Sequence, residues 1–182
     1  MKSLSAKYNK KQNSTQSENN KKNQPSDTLS FDFETGKLKN CSITDVKFAR
    51  IISKRESLWR KKTLYKKEGK YFLTTHEVED EKNKGEDNQT GTITSKVFKL
   101  KNSQLSVLIG GGTDKNATYF AMYLEDGTEI FRSASKKKGQ QFYKVNADLS
   151  DHLNEQVYWQ VVDNATNSYG FITVDDIRFN NK

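Results

Sequence analysis

Three times in this sequence an alternating apolar run ends by delivering acids or amides to a loop. Leu105, Val107 and Ile109 lead into Gly110-Gly111-Gly112-Thr113-Asp114, Val157, Trp159 and Val161 lead into Asp163-Asn164, and Ile172 and Val174 lead into Asp175-Asp176. Carboxylates placed in this way accept hydrogen bonds from amides and hydroxyls, or join carbonyl oxygens around a hard cation. Other reactive chemistry is sparse. The chain has two His and one Cys, with no HExxH, no GxSxG and no cluster of zinc ligands, which leaves little for metal-assisted or nucleophilic hydrolysis. A carboxylate pair for glycoside cleavage stays open, since it needs only two suitably spaced acids. Cys41, being alone, rules out an internal disulfide and a cysteine zinc cage, and it is expected as a small core residue. The three glycines before Asp114 make a tight turn or admit another backbone or a ligand closely. They are not a phosphate loop, because GGGTDKN has neither the Gly-Lys-Ser/Thr ending of a P-loop nor GxGxxG spacing.

The elements that must carry these groups are short. Alternating runs fall at 29–34, 42–48, 70–76, 92–100, 104–110, 117–124, 128–133, 141–148, 156–162 and 170–179, with Gly, Asn and Asp between them. Spacing of this kind predicts an all-β sandwich or barrel. Lys67-Glu68-Gly69 and Glu125-Asp126-Gly127 read as turns, the second within a hairpin. Alternation places Thr118, Phe120, Met122 and Leu124 on a core face and Tyr119, Ala121 and Tyr123 on the other. Ile177 and Phe179 are out of phase with Ile172 and Val174, so a bulge is predicted at Asp175-Asp176, where it would aim a carboxylate towards a cation.

Composition bounds the remainder. Hydrophobic content of 32% is low for a packed domain but is concentrated from Phe31 onward, enough for one core. Residues 1–28 are Lys, Asn, Ser and Gln with almost nothing to bury, and are expected to form a disordered tail or linker before a single domain at 29–182. No apolar run reaches the roughly eighteen residues of a membrane span. The N-terminus lacks the apolar stretch of a secretory signal, so the expectation is a cytosolic chain, or a piece or passenger of something exported. Net charge is +8. The segment 45–70 carries ten Lys and Arg against Asp45, Glu56 and Glu68, whereas 77–87 swings acidic. Basic patches can bind nucleic acid or other polyanions. With 26 Lys to 5 Arg, a solvated basic face is the favoured reading over a nucleic-acid site.

Seven stretches then occur in a telling order: FDFETG at 31–36, EGKYFLTT at 68–75, GTITSKVFKL at 91–100, LIGGGTD at 108–114, GTEIFRSAS at 127–135, DLSDHLNEQVYWQVVDNAT at 148–166 and GFITVDDIRF at 170–179. Together they resemble the fructan-binding carbohydrate-binding modules of family 66, which are attached to levanases and other family 32 glycoside hydrolases. The resemblance implies a galactose-binding-like jelly-roll β-sandwich, an accessory sugar-binding role rather than catalysis, and a structural calcium.

On that resemblance, Asp114, Arg132 and Asp163 are the expected sugar-binding residues. Carboxylates accept hydroxyl protons and Arg donates a fork of N–H groups, so such a set at the mouth of a sandwich distinguishes a terminal sugar from a mid-chain one. Asn164, His76 and Glu77 flank strand ends in the same motifs, and Tyr119 and Tyr169 are candidates for ring faces. Glu34 and Asp176 are the expected Ca²⁺ ligands, because the first and last strands lie close in this fold. The implied ligand is the terminal fructose of a β-fructan such as levan or inulin. The implied setting is extracellular or at the cell surface, with an attached or trans-acting glycoside hydrolase or as a lectin-like domain. An alternative from the residues themselves is a module that binds a protein or an anionic polymer through the Lys and Arg of 47–70.

Overall fold

The computed structural model describes residues 31–44, 48, 50–58, 63–78 and 85–181. The expected tail at 1–28 lies outside the described residues, as do parts of the basic and acidic segments. Two antiparallel sheets face each other, with strands numbered in chain order. The first runs β1 (Cys41–Thr44), β6 (Gly91–Ser95), β12 (Gln156–Asp163), β9 (Thr118–Leu124) and β10 (Glu129–Ser133), and the short β7 (Phe98–Lys99) also pairs with β12. The second runs β11 (Gly139–Asp148), β8 (Gln104–Gly111), β13 (Ile172–Asn180), β5 (Phe72–Thr74) and β2 (Ile52–Ser53). A separate hairpin pairs β3 (Ser57–Leu58) with β4 (Thr63–Leu64). Among the described residues the helical content is one 3-10 turn at Ser150–His152, and no helix is long and apolar enough to cross a membrane. The fold is the all-β sandwich that the spacing predicts.

The period-2 pattern sets the core. Phe120, Met122, Val157, Trp159 and Val161 from the first sheet meet Leu105, Val107, Ile109 and Val174 from the second, all essentially without exposed surface. Burial of side chains this large contributes roughly 1.5–3 kcal/mol each. Trp159 is at the centre, with Phe31 edge-on at 5.2 Å and Phe120 stacked at 6.1 Å between centroids. Leu124 leaves its predicted core face half-exposed, and Ala121, predicted outward, is covered. Cys41 is half-buried against the core at the start of β1, and burial pushes its thiol up to about 12.

The bulge in the last strand is present. Register between β13 and β8 shifts between Asp175 and Arg178, Asp176 takes φ +50°, and Ile177 and Phe179 return to the core. Three expectations for strands need correction. Phe31 makes a single bridge to Ile177 instead of a strand at 29–34, because the Glu34 amide donates to Asp32 Oδ1 at 3.0 Å and the chain turns. The run 92–100 breaks into β6 and β7, because Ser95 Oγ accepts the Trp159 amide at 3.0 Å in place of a ladder bond. The strands β2, β3 and β4 come from the basic segment, where no strand was predicted.

Candidate functional site

The C-terminal ends of β5, β8, β10 and β12 and the N-terminal ends of β9, β11 and β13 meet at one end of the sandwich. The triple glycine is what lets them converge. At Gly111, with φ +112°, a Cβ would stand 2.2 Å from the Phe171 carbonyl oxygen, and at Gly112 it would stand 2.7 Å from that of Tyr169. Side chains there would push the 169–172 backbone off the strand, so the glycines serve close approach rather than a free turn. Gly112 N–H donates to Phe171 O at 2.9 Å, and Ser135 N–H donates to Gly112 O at 3.2 Å.

Two adjoining depressions form here, of about 490 Å³ and about 180 Å³. They share Lys138, Ser168 and Tyr169 on a common rim. His76, Gly85, Asp87, Gln140 and Phe171 line the larger, and Thr113, Asp114, Thr118, Ala165 and Asn167 line the smaller. Their combined size suits a sugar or two. Tyr169 stands at the junction with 43% of its surface exposed, although its backbone is held at φ +63°. A bulky residue in the left-handed region is strained by roughly 1–3 kcal/mol and persists where its surroundings over-determine it. Those surroundings are visible: Tyr169 N–H donates to Asp87 Oδ2 at 3.0 Å, and Gly170 N–H donates to Asn167 O at 2.7 Å. The rings of His76, Phe171 and Tyr169 form a column, with centroid separations of 4.0 Å and 6.4 Å, and its outer member faces the groove.

Of the predicted site residues, Asp114, Asn164, His76 and Asp163 lie at this end, in different roles. Asp114 is exposed on the smaller depression, where its Oδ1 accepts the Asn116 amide at 2.9 Å and its carbonyl accepts those of Ala117 and Thr118. Asn164 is exposed beside it and donates its own amide to Ala117 O at 2.8 Å. His76 is buried in the wall of the larger depression, its Nδ1 3.2 Å from Asp87 Oδ1. Burial holds that imidazole below its ordinary range, against the attraction of Asp87. Asp163 has no exposed surface, so it acts beneath the groove. It accepts the Thr75 hydroxyl and the Ala165 amide, and burial pushes its carboxyl up to about 7.

Glu77 and Arg132 lie off the groove. Glu77 is fully buried behind His76, with Ser53 Oγ at 2.6 Å, Tyr65 Oη at 3.1 Å and Arg55 Nε at 3.3 Å, and burial raises its carboxyl despite those partners. Arg132 lies over the outer face of the first sheet. Its guanidinium stacks 3.7 Å from the Tyr119 ring centroid, pairs with Glu129 and donates to Lys115 O at 3.1 Å. It therefore props the back of the Asp114 turn, and Tyr119 is its platform. In the basic segment, Lys67 is committed to Glu56 and Gly69 O, and Arg55 to Glu77. Several other cations of 47–70 lie outside the described residues.

Glu34 and Asp176 meet elsewhere, around Asp175. Glu34 accepts the amides of Lys70 and Tyr71 at 2.9 and 3.0 Å, and Asp176 pairs with Arg178. Asp175, between them, has no exposed surface and accepts the amides of Glu68 and Asp176, each at 2.8 Å. Burial pushes its carboxyl up to about 7, and the charges of Asp176 and Glu34 add to the rise. Carboxylate oxygens gathered around a buried acid suit a hard cation by type. Among the described residues no three acids or ligating side chains stand as a finished cage.

Asp87, Lys138 and Thr75 were not anticipated. Asp87 stands in an acidic run, Lys138 ends the Lys136-Lys137-Lys138 run that could have marked a loop at a strand end, and Thr75 has no sequence signal.

No protein-family model matches the chain. Over 95 residues, 52% of this chain, it is 30% identical to a protein of Aspergillus rugulosus named as a glycosyl hydrolase, ecdE, and that match spans 13% of the relative's length. Among solved structures it is similar to the K1 cleaved adhesin domain of Lys-gingipain from Porphyromonas gingivalis W83, with a TM-score of 0.52 and 12% identity over 85% of this chain and 98% of the other. It is similar also to TmCBM61 in complex with β-1,4-galactotriose, with a TM-score of 0.49 and 12% identity over 82% and 94% of the two chains. CBM51 from Clostridium perfringens GH95, in complex with methyl-galactose, gives 0.41 and 16% over 82% and 98%. At such identity the likeness to the adhesin domain is one of fold.

Proposed function

We propose that this chain is a non-catalytic glycan-binding module whose groove takes the end of a sugar chain. The observation that carries the reading is Tyr169: an exposed aromatic ring, held in a strained backbone conformation, on the rim shared by two polar depressions. Sugar rings present a C–H face that packs on such a ring, while their hydroxyls pair with planar polar groups of the kind Asp114, Asn167 and Lys138 supply here. The acid with a raised proton affinity at this end, Asp163, has no exposed surface from which to protonate a leaving group, which favours binding over cleavage. A match limited to 13% of a much longer relative suits an accessory module of a hydrolase.

Within this reading the ligand is the terminal fructose of a β-fructan, the class implied by the resemblance to family 66. A calcium ion held by Glu34 and Asp176, with Asp175 beneath them, would neutralise the carboxylates there and tie the first segment to the last strand, a structural role.

Calorimetry against levan, inulin and a neutral glucan tests the proposal. Binding to levan or inulin that falls at least about tenfold in Tyr169→Ala and Asp114→Ala, with the melting temperature kept, is the expected outcome. No binding to any of the three, or binding indifferent to Tyr169, rejects it.

A further inference from the structure

Asp87 joins by its two oxygens groups whose rings already share a stack through Phe171. Its Oδ2 receives the backbone amide of Tyr169 at 3.0 Å, and its Oδ1 stands 3.2 Å from Nδ1 of His76. The imidazole is 4% exposed, neither ring nitrogen has a well-aligned hydrogen-bond partner, and Asp87 Oδ1 also has none. The ring cannot swing away from this pair. Phe171 stacks on one side at 4.0 Å, and Gly85 presses so close that a Cβ there would fall 2.0 Å from Nε2. A half-buried carboxylate thus holds the strained backbone of the exposed tyrosine with one oxygen, while its other, covered oxygen waits on a titratable ring.

We propose that Asp87 is the positioning residue that sets Tyr169 in the groove, and that the charge of His76, transmitted through Asp87, decides how firmly Tyr169 is held for its ligand. This rests on the glycan-binding reading of the groove. Neutral His76 leaves the pair loosely coupled. When the ring takes a proton, both nitrogens become donors and Nδ1–H can make a charge-assisted bond to Asp87, roughly twice as strong as a neutral one. Asp87 is then pinned while its second oxygen keeps the Tyr169 amide, so the ring is better pre-organised for a sugar face. Acidification strengthens binding. The charged groups facing this pair are Asp163, whose charge reaches Asp87 from beneath, and Lys138, on the wall of the same depression. Glu77 is engaged on its far side by Arg55 and Tyr65.

The test follows the full chain by NMR between pH 8 and pH 5, reading the His76 ring and the Tyr169 amide, with levan affinity measured at the same pH values. Levan is neutral, so its own charge does not change. The expected result is a Tyr169 amide shift with the midpoint of the His76 ring, lost in His76→Gln and Asp87→Asn but kept in Asp163→Asn. Levan affinity should rise about threefold on acidification in the native chain, stay flat in His76→Gln, and fall about tenfold in Asp87→Ala. A Tyr169 amide indifferent to the His76 titration, a His76 that stays neutral to pH 5, or Asp87→Asn with native affinity and pH profile overturns the proposal. If levan does not bind, or binds Tyr169→Ala as well as the native chain, the glycan reading fails separately and the amide titration alone decides the coupling.

Discussion

Asp163 and Asp175 are the same residue at the same depth. Both are fully covered, and in both burial is the main reason the carboxyl rises to about 7. Their neighbours differ. Asp163 meets a hydroxyl and an amide, with Asp87 as the charge in reach, whereas Asp175 accepts two amides and has Glu34 and Asp176 beside it. Burial is the largest influence on how readily each group takes a proton. What surrounds it decides whether a proton or a metal cation is the better remedy, so one aspartate lies as a post under the groove and the other is the centre of the proposed calcium site.

The largest effect that separates them is calcium. At about a hundredfold above its dissociation constant the ion should add about 2.7 kcal/mol, or roughly 5–10 °C in melting temperature, reversed by EDTA. Asp175→Asn and Glu34→Gln should abolish the gain and Asp163→Asn should keep it. An undiminished calcium shift in Asp175→Asn would break the distinction.

Protonation comes next and treats the two alike. Each folded value lies above the ordinary aspartate value of 3.8, so the folded chain binds more protons between about pH 4 and 7. Stability from both groups is therefore greatest at the acid end of that window, declines as pH rises through 7 and is flat above. His76, held low, has the opposite sign and loses stability as pH falls through its unfolded value near 6.5. Asp163→Asn and Asp175→Asn should each remove on the order of 1–3 kcal/mol of the difference between pH 5 and pH 8 in chemical denaturation. With calcium present, only the Asp163 share should remain.

A smaller effect isolates the groove. Tyr169→Gly should raise stability by about 1 kcal/mol through relief of the left-handed strain, while glycan binding is lost. Loss of stability instead would mean that the ring is a packing residue. The smallest concerns Arg132, where Arg132→Lys forfeits the paired contact to Glu129 at a cost of at most about 1 kcal/mol and leaves groove affinity within about twofold.

Period-2 alternation made the sandwich legible, including the bulge, because Ile177 and Phe179 could reach the core by no other register. The loop carrying Asp114 was legible for the same reason, as the end of a strand that glycine alone could finish. The link between Asp87 and Tyr169 was not, since they are 82 residues apart and only the approach of two loops joins them. Arg132 misled because a lone Arg at a strand end looks like a ligand residue. Glu129, three positions earlier, was the sign of a local pair.

The bridge between Phe31 and Ile177 puts the entry of the described domain near the exit of its last strand, while the groove sits at the strand's other end. Nine residues of β13 span about 25–30 Å between them. The first and last described residues thus leave the sandwich together, at the end away from the groove.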